Sequence, residues 1–137
     1  MKIIKRKYNL KQKKIFVLGG SGLIGSEVCK DLSEFEANII NLDVKEKKIK
    51  YRNYKFTPFD ISDFENLDLN ISKIIKKYGC PDVFINCGYP KTDDWVKNNF
   101  LNIKLKSFNK NINLQLISSS WILKIFADEM KKRKKLG

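Results

Sequence analysis

Histidine is absent from the 137 residues. Its absence removes the Ser-His-Asp triad, the Cys-His dyad and every His-ligated metal centre from consideration. Cysteine is scarce: Cys29, Cys80 and Cys87 are odd in number and lack Cys-x-x-Cys spacing. That excludes a disulfide scaffold and reads as reduced thiols in a cytoplasmic setting. Long apolar runs are missing too, since Ile15-Phe16-Val17-Leu18 is among the longest, and no transmembrane helix is expected. The basic lead-in, residues 1–13, carries neither the apolar core nor the cleavage pattern of a signal peptide. Alanine occurs only twice and arginine three times.

Positive charge is plentiful. The formal net charge is +13 and the isoelectric point about 9.7. Taken alone, this points to nucleic acid or an anionic surface. Yet 25 of the 28 basic residues are lysine, and Asn and Ile are abundant, as AT-rich codon usage dictates. Arginine, the residue of bidentate phosphate and guanine contacts, is nearly missing. Compositional drift is therefore the favoured explanation, and a Lys-rich nucleic-acid-binding protein ranks behind it. The terminal run Lys131 to Lys135, with Gly137 beyond, reads as cations complementing a helix C-terminus and a glycine stop.

The length and a hydrophobic fraction of 42% suit one domain with a core of its own. After the lead-in, residues 14–137 read as one α/β unit. Lys14 to Leu18 is a buried strand ending in glycines. Leu23, Ile24, Val28 and Leu32 repeat at helical spacing, which predicts a helix from Gly22 to Ser33. Asn38 to Asp43 and Tyr54 to Phe59 are predicted strands, the second interrupted by Pro58. The connection between them is too short for more than a reduced helix. Phe64, Leu67, Ile71, Ile74, Ile75 and Tyr78 predict a helix, with a capping box from Ser62 and Glu65 and a stop at Gly79 and Pro81. Asp82 to Asn86 is a fourth strand. A long helix closes the chain, with Phe108, Ile112, Leu116, Ser119, Leu123, Phe126 and Met130 predicted on its buried face. This order predicts a parallel sheet built from right-handed crossovers.

Between the first strand and first helix lies Gly19-Gly20-Ser21-Gly22-Leu23-Ile24-Gly25. A glycine turn there lets backbone amides approach a pyrophosphate, helped by the partial positive charge of the helix N-terminus. Gly19 permits the tight turn, Gly22 the close approach of phosphate, and Gly25 the packing of helix on sheet. Asp43, 24 residues after Gly19 at the end of the second strand, is placed to accept hydrogen bonds from the ribose hydroxyls of NAD. It would also repel the 2′-phosphate of NADP, so NAD is favoured over NADP, with Lys45, Lys47 and Lys48 leaving room for the latter. Asp60-Ile61 and Asn86-Cys87-Gly88 close the third and fourth strands. All these residues fall at the carboxyl ends of parallel strands, where open α/β sheets bind ligands.

With these motifs the chain resembles the short-chain dehydrogenase/reductase family over its whole length. The resemblance implies a Rossmann-type, doubly wound parallel sheet that is incomplete, with about four strands, ending before the fifth. It implies that Asp60-Ile61 holds adenine and that Asn86-Cys87-Gly88-Tyr89 replaces the Asn-Asn-Ala-Gly motif. Leu18 replaces the usual Thr before the first glycine. Tyr89-Pro90-Lys91-Thr92 resembles the Tyr-Pro-Arg-Thr of a subgroup associated with surface polysaccharides and sialic-acid-like sugars, which implies a sugar-type substrate. Lys91 keeps the charge but not the planar fork of Arg.

The family's chemistry rests on Asn, Ser, Tyr and Lys, the last two in a Tyr-x-x-x-Lys helix after the fifth strand. The tetrad Asn position falls at Gln115 by one count and at Asn113 by local wording. Tyr51 with Lys55 is a chance Tyr-x-x-x-Lys match, because it precedes the third strand, and Ser118, Ser119 and Ser120 lie within the last helix. The leading expectation is thus the NAD(P)-binding portion of such an oxidoreductase, inactive alone, acting with a complementing C-terminal half or as a homo-oligomer. The alternative is a non-catalytic module that binds NAD or docks on a partner. Val83 to Asn86 is expected as an exposed apolar edge.

Overall fold

Neighbouring side chains of one short strand are buried on opposite faces, and this sets the architecture. In the computed structural model, which describes residues 9–48 and 50–133, Ile15, Phe16, Val17 and Leu18 of β1 (Lys14–Leu18) are all essentially inaccessible. Full burial of such side chains contributes roughly 1.5–3 kcal/mol each. A strand buried on both faces needs a layer of helix on each.

One layer is α1 (Leu23–Glu34), which packs Cys29 and Leu32 against Ile15, Val17 and Ile39. The other is built from α2 (Leu67–Tyr78) and α3 (Leu105–Lys132), whose Ile71, Ile74, Ile122 and Phe126 cover Phe16, Leu18, Ile40 and Leu42. The Phe126 ring stands edge-on to Phe16 at 5.5 Å and tilted against Phe84 at 4.7 Å, tying the long helix to two strands.

The remaining strands are β2 (Asn38–Asp43), β3 (Tyr54–Pro58) and β4 (Val83–Asn86), and all pair in parallel in the order β3-β2-β1-β4. The chain runs outward from β1 to β3 and then returns to the far side of β1. The order reverses at the β1/β4 seam, which opens a crevice at the carboxyl ends of these strands. The architecture is the doubly wound α/β class that the sequence predicts, with four parallel strands. Pro58 is tolerated because β3 is an edge strand. No helix fills the described residues between β2 and β3.

Three local expectations are corrected. The second helix starts at Leu67 with Asn66 as N-cap and no side-chain cap, so Ser62 and Glu65 form no capping box. Ser62 instead donates from its amide (2.8 Å) and hydroxyl (2.6 Å) to the Asp60 carboxylate, a local turn that outcompetes the helix start. The buried stripe of α3 is Asn111, Leu114, Ser118, Ile122, Phe126 and Met130, whereas Phe108, Ile112, Leu116 and Leu123 are exposed. This helix carries apolar residues on more than one side, so its periodicity admits two phases, and contact with the sheet selects the one holding Asn111 and Ser118. The third strand ends at Pro58, one residue early, with the Phe59 amide donating to the Asp43 carbonyl at 3.0 Å.

Among the described residues β4 pairs with β1 alone, and Val83, Phe84 and Ile85 are half-buried. Lys131 and Lys132 occupy the last turn of α3, with Arg133 as C-cap. Lys134, Lys135 and Gly137, like most of the basic lead-in, lie outside the described residues. No helix among the described residues is long and apolar enough to cross a membrane.

Candidate functional site

Gly19 begins the turn from β1 into α1 at φ +73°, a left-handed conformation open to glycine. A Cβ there would lie 2.7 Å from the backbone of Cys87 and Gly88, so the loops after β1 and β4 touch at this point. Gly25, one turn into α1, faces the Gly19 carbonyl and Gly20 Cα so closely that any side chain would collide with backbone. The helix is thereby seated directly on the turn. Gly22 is its N-cap, with no side-chain cap and no acidic residue in the first turn. The first-turn amides of a helix have no intrahelical acceptor. Here that positive end faces the crevice, beside Leu23 and Ile24, which are 88% and 71% exposed.

The second strand braces the turn. Asp43 accepts the Ser21 amide at 2.9 Å with one carboxylate oxygen and the Val44 amide at 2.7 Å with the other. An ionised carboxylate offers about four lone-pair sites, so it retains capacity for two hydroxyl donors. Two residues earlier on the same face, buried Asn41 donates to the Ser21 hydroxyl at 2.9 Å and to the Tyr54 hydroxyl at 2.7 Å. Burial pushes the Tyr54 hydroxyl above its ordinary pKa. Lys47 reaches the Ser26 hydroxyl at 3.1 Å, on the first turns of α1.

These elements enclose a cleft of about 920 Å3, within the usual size of small-molecule sites. Its floor is Leu18, Gly19, Ser21 and Gly22. One wall carries Asp43, Lys45, Asp60 and Ile61, and the other Cys87 to Asp93, with Lys110 and Leu114 from α3. Asp60 is exposed and Ile61 buried. Asn86 accepts the Gly88 amide at 2.9 Å and so shapes the loop after β4. The Cys87 thiol, half-buried in the cleft, is pushed up by burial; Cys29, buried beneath, is pushed up to about 12 by burial, with Cys87 and Asp43 adding to it. Neither thiol is poised as a nucleophile. The cleft suits an elongated ligand with a central anionic group at the helix end and a polyol near Asp43.

Asn113 is exposed and Gln115 half-buried on α3. Asn113 lines a separate apolar groove with Phe64 and Leu105. The asparagine that supports the cleft wall, from behind Thr92, is the buried Asn111, which sequence reasoning missed. It accepts the Thr92 amide at 3.1 Å and donates to the Thr92 hydroxyl at 2.6 Å and the Ser107 carbonyl at 2.9 Å, pinning the Tyr89–Thr92 stretch to the helix. Its signal, one Asn among several in a helix, does not stand out from Asn109 or Asn113. Tyr51 and Lys55 belong to opposite sides of the sheet: Tyr51 packs on Tyr54 on the α1 side, while Lys55 lies over the Tyr78 ring of α2. They form no catalytic pair.

Comparison with known proteins identifies the family and agrees with the fold. Residues 13–136 match the family described as short chain dehydrogenase. A curated relative, the post-translational flagellin modification protein A of Campylobacter coli, is 27% identical over 117 residues, which are 78% of this chain and 46% of the relative. A short chain dehydrogenase from Leptospira borgpetersenii with bound NAD+ superimposes with a TM-score of 0.75 at 22% identity, over 93% of this chain and 49% of that one. ElxO with NADP bound gives 0.70 at 25% identity, over 88% and 52%. The chain spans about half the length of the proteins it matches.

Proposed function

The chain belongs to the short-chain dehydrogenase family, and on that premise we propose that its cleft binds a nicotinamide dinucleotide, with NAD favoured over NADP. One observation carries the reading: the glycine turn opens at the β1/β4 reversal with Asp43 beside it and an uncapped helix end above it. The first-turn amides of Leu23 and Ile24 would meet the pyrophosphate, with the Gly22 backbone in close approach. Asp43 would accept the adenosine ribose hydroxyls and set its charge against a 2′-phosphate. Asp60 and Ile61 would flank adenine, and Asn86, Cys87 and Gly88 would face the nicotinamide half. When bound, the dinucleotide would supply hydride chemistry; this chain's residues would supply its orientation.

The finer reading is the cofactor portion of an oxidoreductase acting on a sugar-type hydroxyl or carbonyl in the cytoplasm. It rests on the Tyr89-Pro90-Lys91-Thr92 stretch, which the structure holds against the cleft through Asn111. The family's Ser and Tyr-x-x-x-Lys have no counterpart here, and the half-buried apolar edge of β4 fits a complementing half or a second copy. A non-catalytic NAD-binding module shares the same cleft and differs only in needing neither.

Both halves of the reading are testable on the purified chain. Saturating NAD is expected to slow maleimide labelling of Cys87 several-fold at mildly alkaline pH, while aldoses added to the same mixture give no NADH. An unchanged labelling rate would count against NAD in this cleft. Sustained NADH formation would overturn the expectation of inactivity.

A further inference from the structure

Ser21 is held from two directions by one strand. Asp43 takes its amide at 2.9 Å, and Asn41, two residues earlier on β2, donates to its hydroxyl at 2.9 Å. Asn41 is fully buried, yet its Oδ1 has no hydrogen-bond partner among the described residues. That oxygen faces Gly20 so closely that a side chain at Gly20 would collide with it. Behind Asn41, the Tyr54 hydroxyl accepts its second N–H at 2.7 Å, so the amide is fixed from β3 as well.

A buried, partly unsatisfied amide is costly in a parallel strand whose neighbouring positions are Ile40 and Leu42. A β-branched apolar residue at this position would suit the sheet better. The polar group is therefore explained by what it holds. We propose that Asn41 is a positioning residue for the dinucleotide-binding turn, acting through the Ser21 hydroxyl. Asp43 fixes the height of Ser21 over the sheet, and Asn41 fixes its rotation. Together they orient the Gly19–Gly22 backbone before ligand arrives, so that less ordering remains to be done on binding. This rests on the dinucleotide reading above.

The test is a double-mutant cycle on the full chain, with NAD as probe: wild type, Asn41→Val, Ser21→Ala and the double variant, each verified as folded by circular dichroism. Each single substitution is expected to weaken NAD binding about fivefold, the scale of one neutral hydrogen bond. The double variant is expected to be no weaker than Asn41→Val alone, because that substitution already removes the Ser21 contact along with the one to Tyr54. Losses that multiply in the double variant, or a neutral Asn41→Val, would overturn the proposal. Amide hydrogen exchange at Ser21 supplies a readout without ligand. Asn41→Val is expected to speed it at least about tenfold relative to the amides of Phe16 and Leu42, the turn opening locally while the sheet holds. Failure of the wild-type chain to bind NAD would sink the dinucleotide reading and leave the clamp to be decided by exchange. An unchanged Ser21 rate would sink the clamp.

Discussion

A Gly19→Ala chain is expected to bind NAD about a hundredfold more weakly than wild type and to unfold at lower temperature. Two costs add at this residue. Its φ of +73° is left-handed, which costs an L-residue about 1–2 kcal/mol. Its new Cβ would stand 2.7 Å from the backbone of Cys87 and Gly88, and overpacking of this kind costs about 1–3 kcal/mol. The obstruction is backbone, so no side chain can rotate away. If the turn relaxes by moving off the β4 loop, the amides above it leave their binding geometry. Forcing it back at about 3 kcal/mol corresponds to about a hundredfold in Kd. Calorimetric titration and a thermal melt measure the two effects on one sample. A variant that melts earlier but binds NAD as wild type would separate the turn from the site.

Asp43→Asn is expected to shift relative affinity from NAD toward NADP. The carboxylate now accepts two backbone amides, from Ser21 and Val44, and the asparagine amide can accept with only one of its two polar atoms. Charge-assisted hydrogen bonds carry about 1.5–3 kcal/mol, so NAD is expected to weaken about tenfold. The same substitution removes the negative charge that would oppose a 2′-phosphate, and Lys45, on the same wall, would become available to it. The NAD/NADP affinity ratio is expected to move about a hundredfold toward NADP, measured by paired titrations. A ratio that does not move would show that Asp43 braces the turn without reading the ribose.

Much of this site is legible in the sequence, for a physical reason. A strand buried on both faces needs an apolar run, unbroken in β1 and broken only at Asn41 in β2, and both strands have the bounds that the structure assigns. Gly19 and Asp43 stand at ends of such strands, and their spacing brings them together without knowledge of packing. The residues that sequence reading misses are polar groups buried by tertiary contact. Asn41 looks like an interruption in Ile-Ile-Asn-Leu, and Asn111 like one more Asn in an Asn-rich helix; each acquires its role only when Ser21 or Thr92 is set against it. Periodicity errs in α3, where Leu105, Phe108, Ile112 and Leu116 make an exposed stripe at the same three- and four-residue spacing as the buried one. Ser62 and Glu65 have capping-box spacing, but Asp60 captures Ser62 first.

The central claim is that this chain holds a nicotinamide dinucleotide at the turn between β1 and α1. Calorimetric titration of NAD into the folded wild-type chain, with Gly19→Ala as its paired control, tests it most directly. The account predicts saturable one-site binding by wild type that is lost or weakened about a hundredfold in the variant. No binding by a wild-type chain shown to be folded, or equal binding by both, would contradict it.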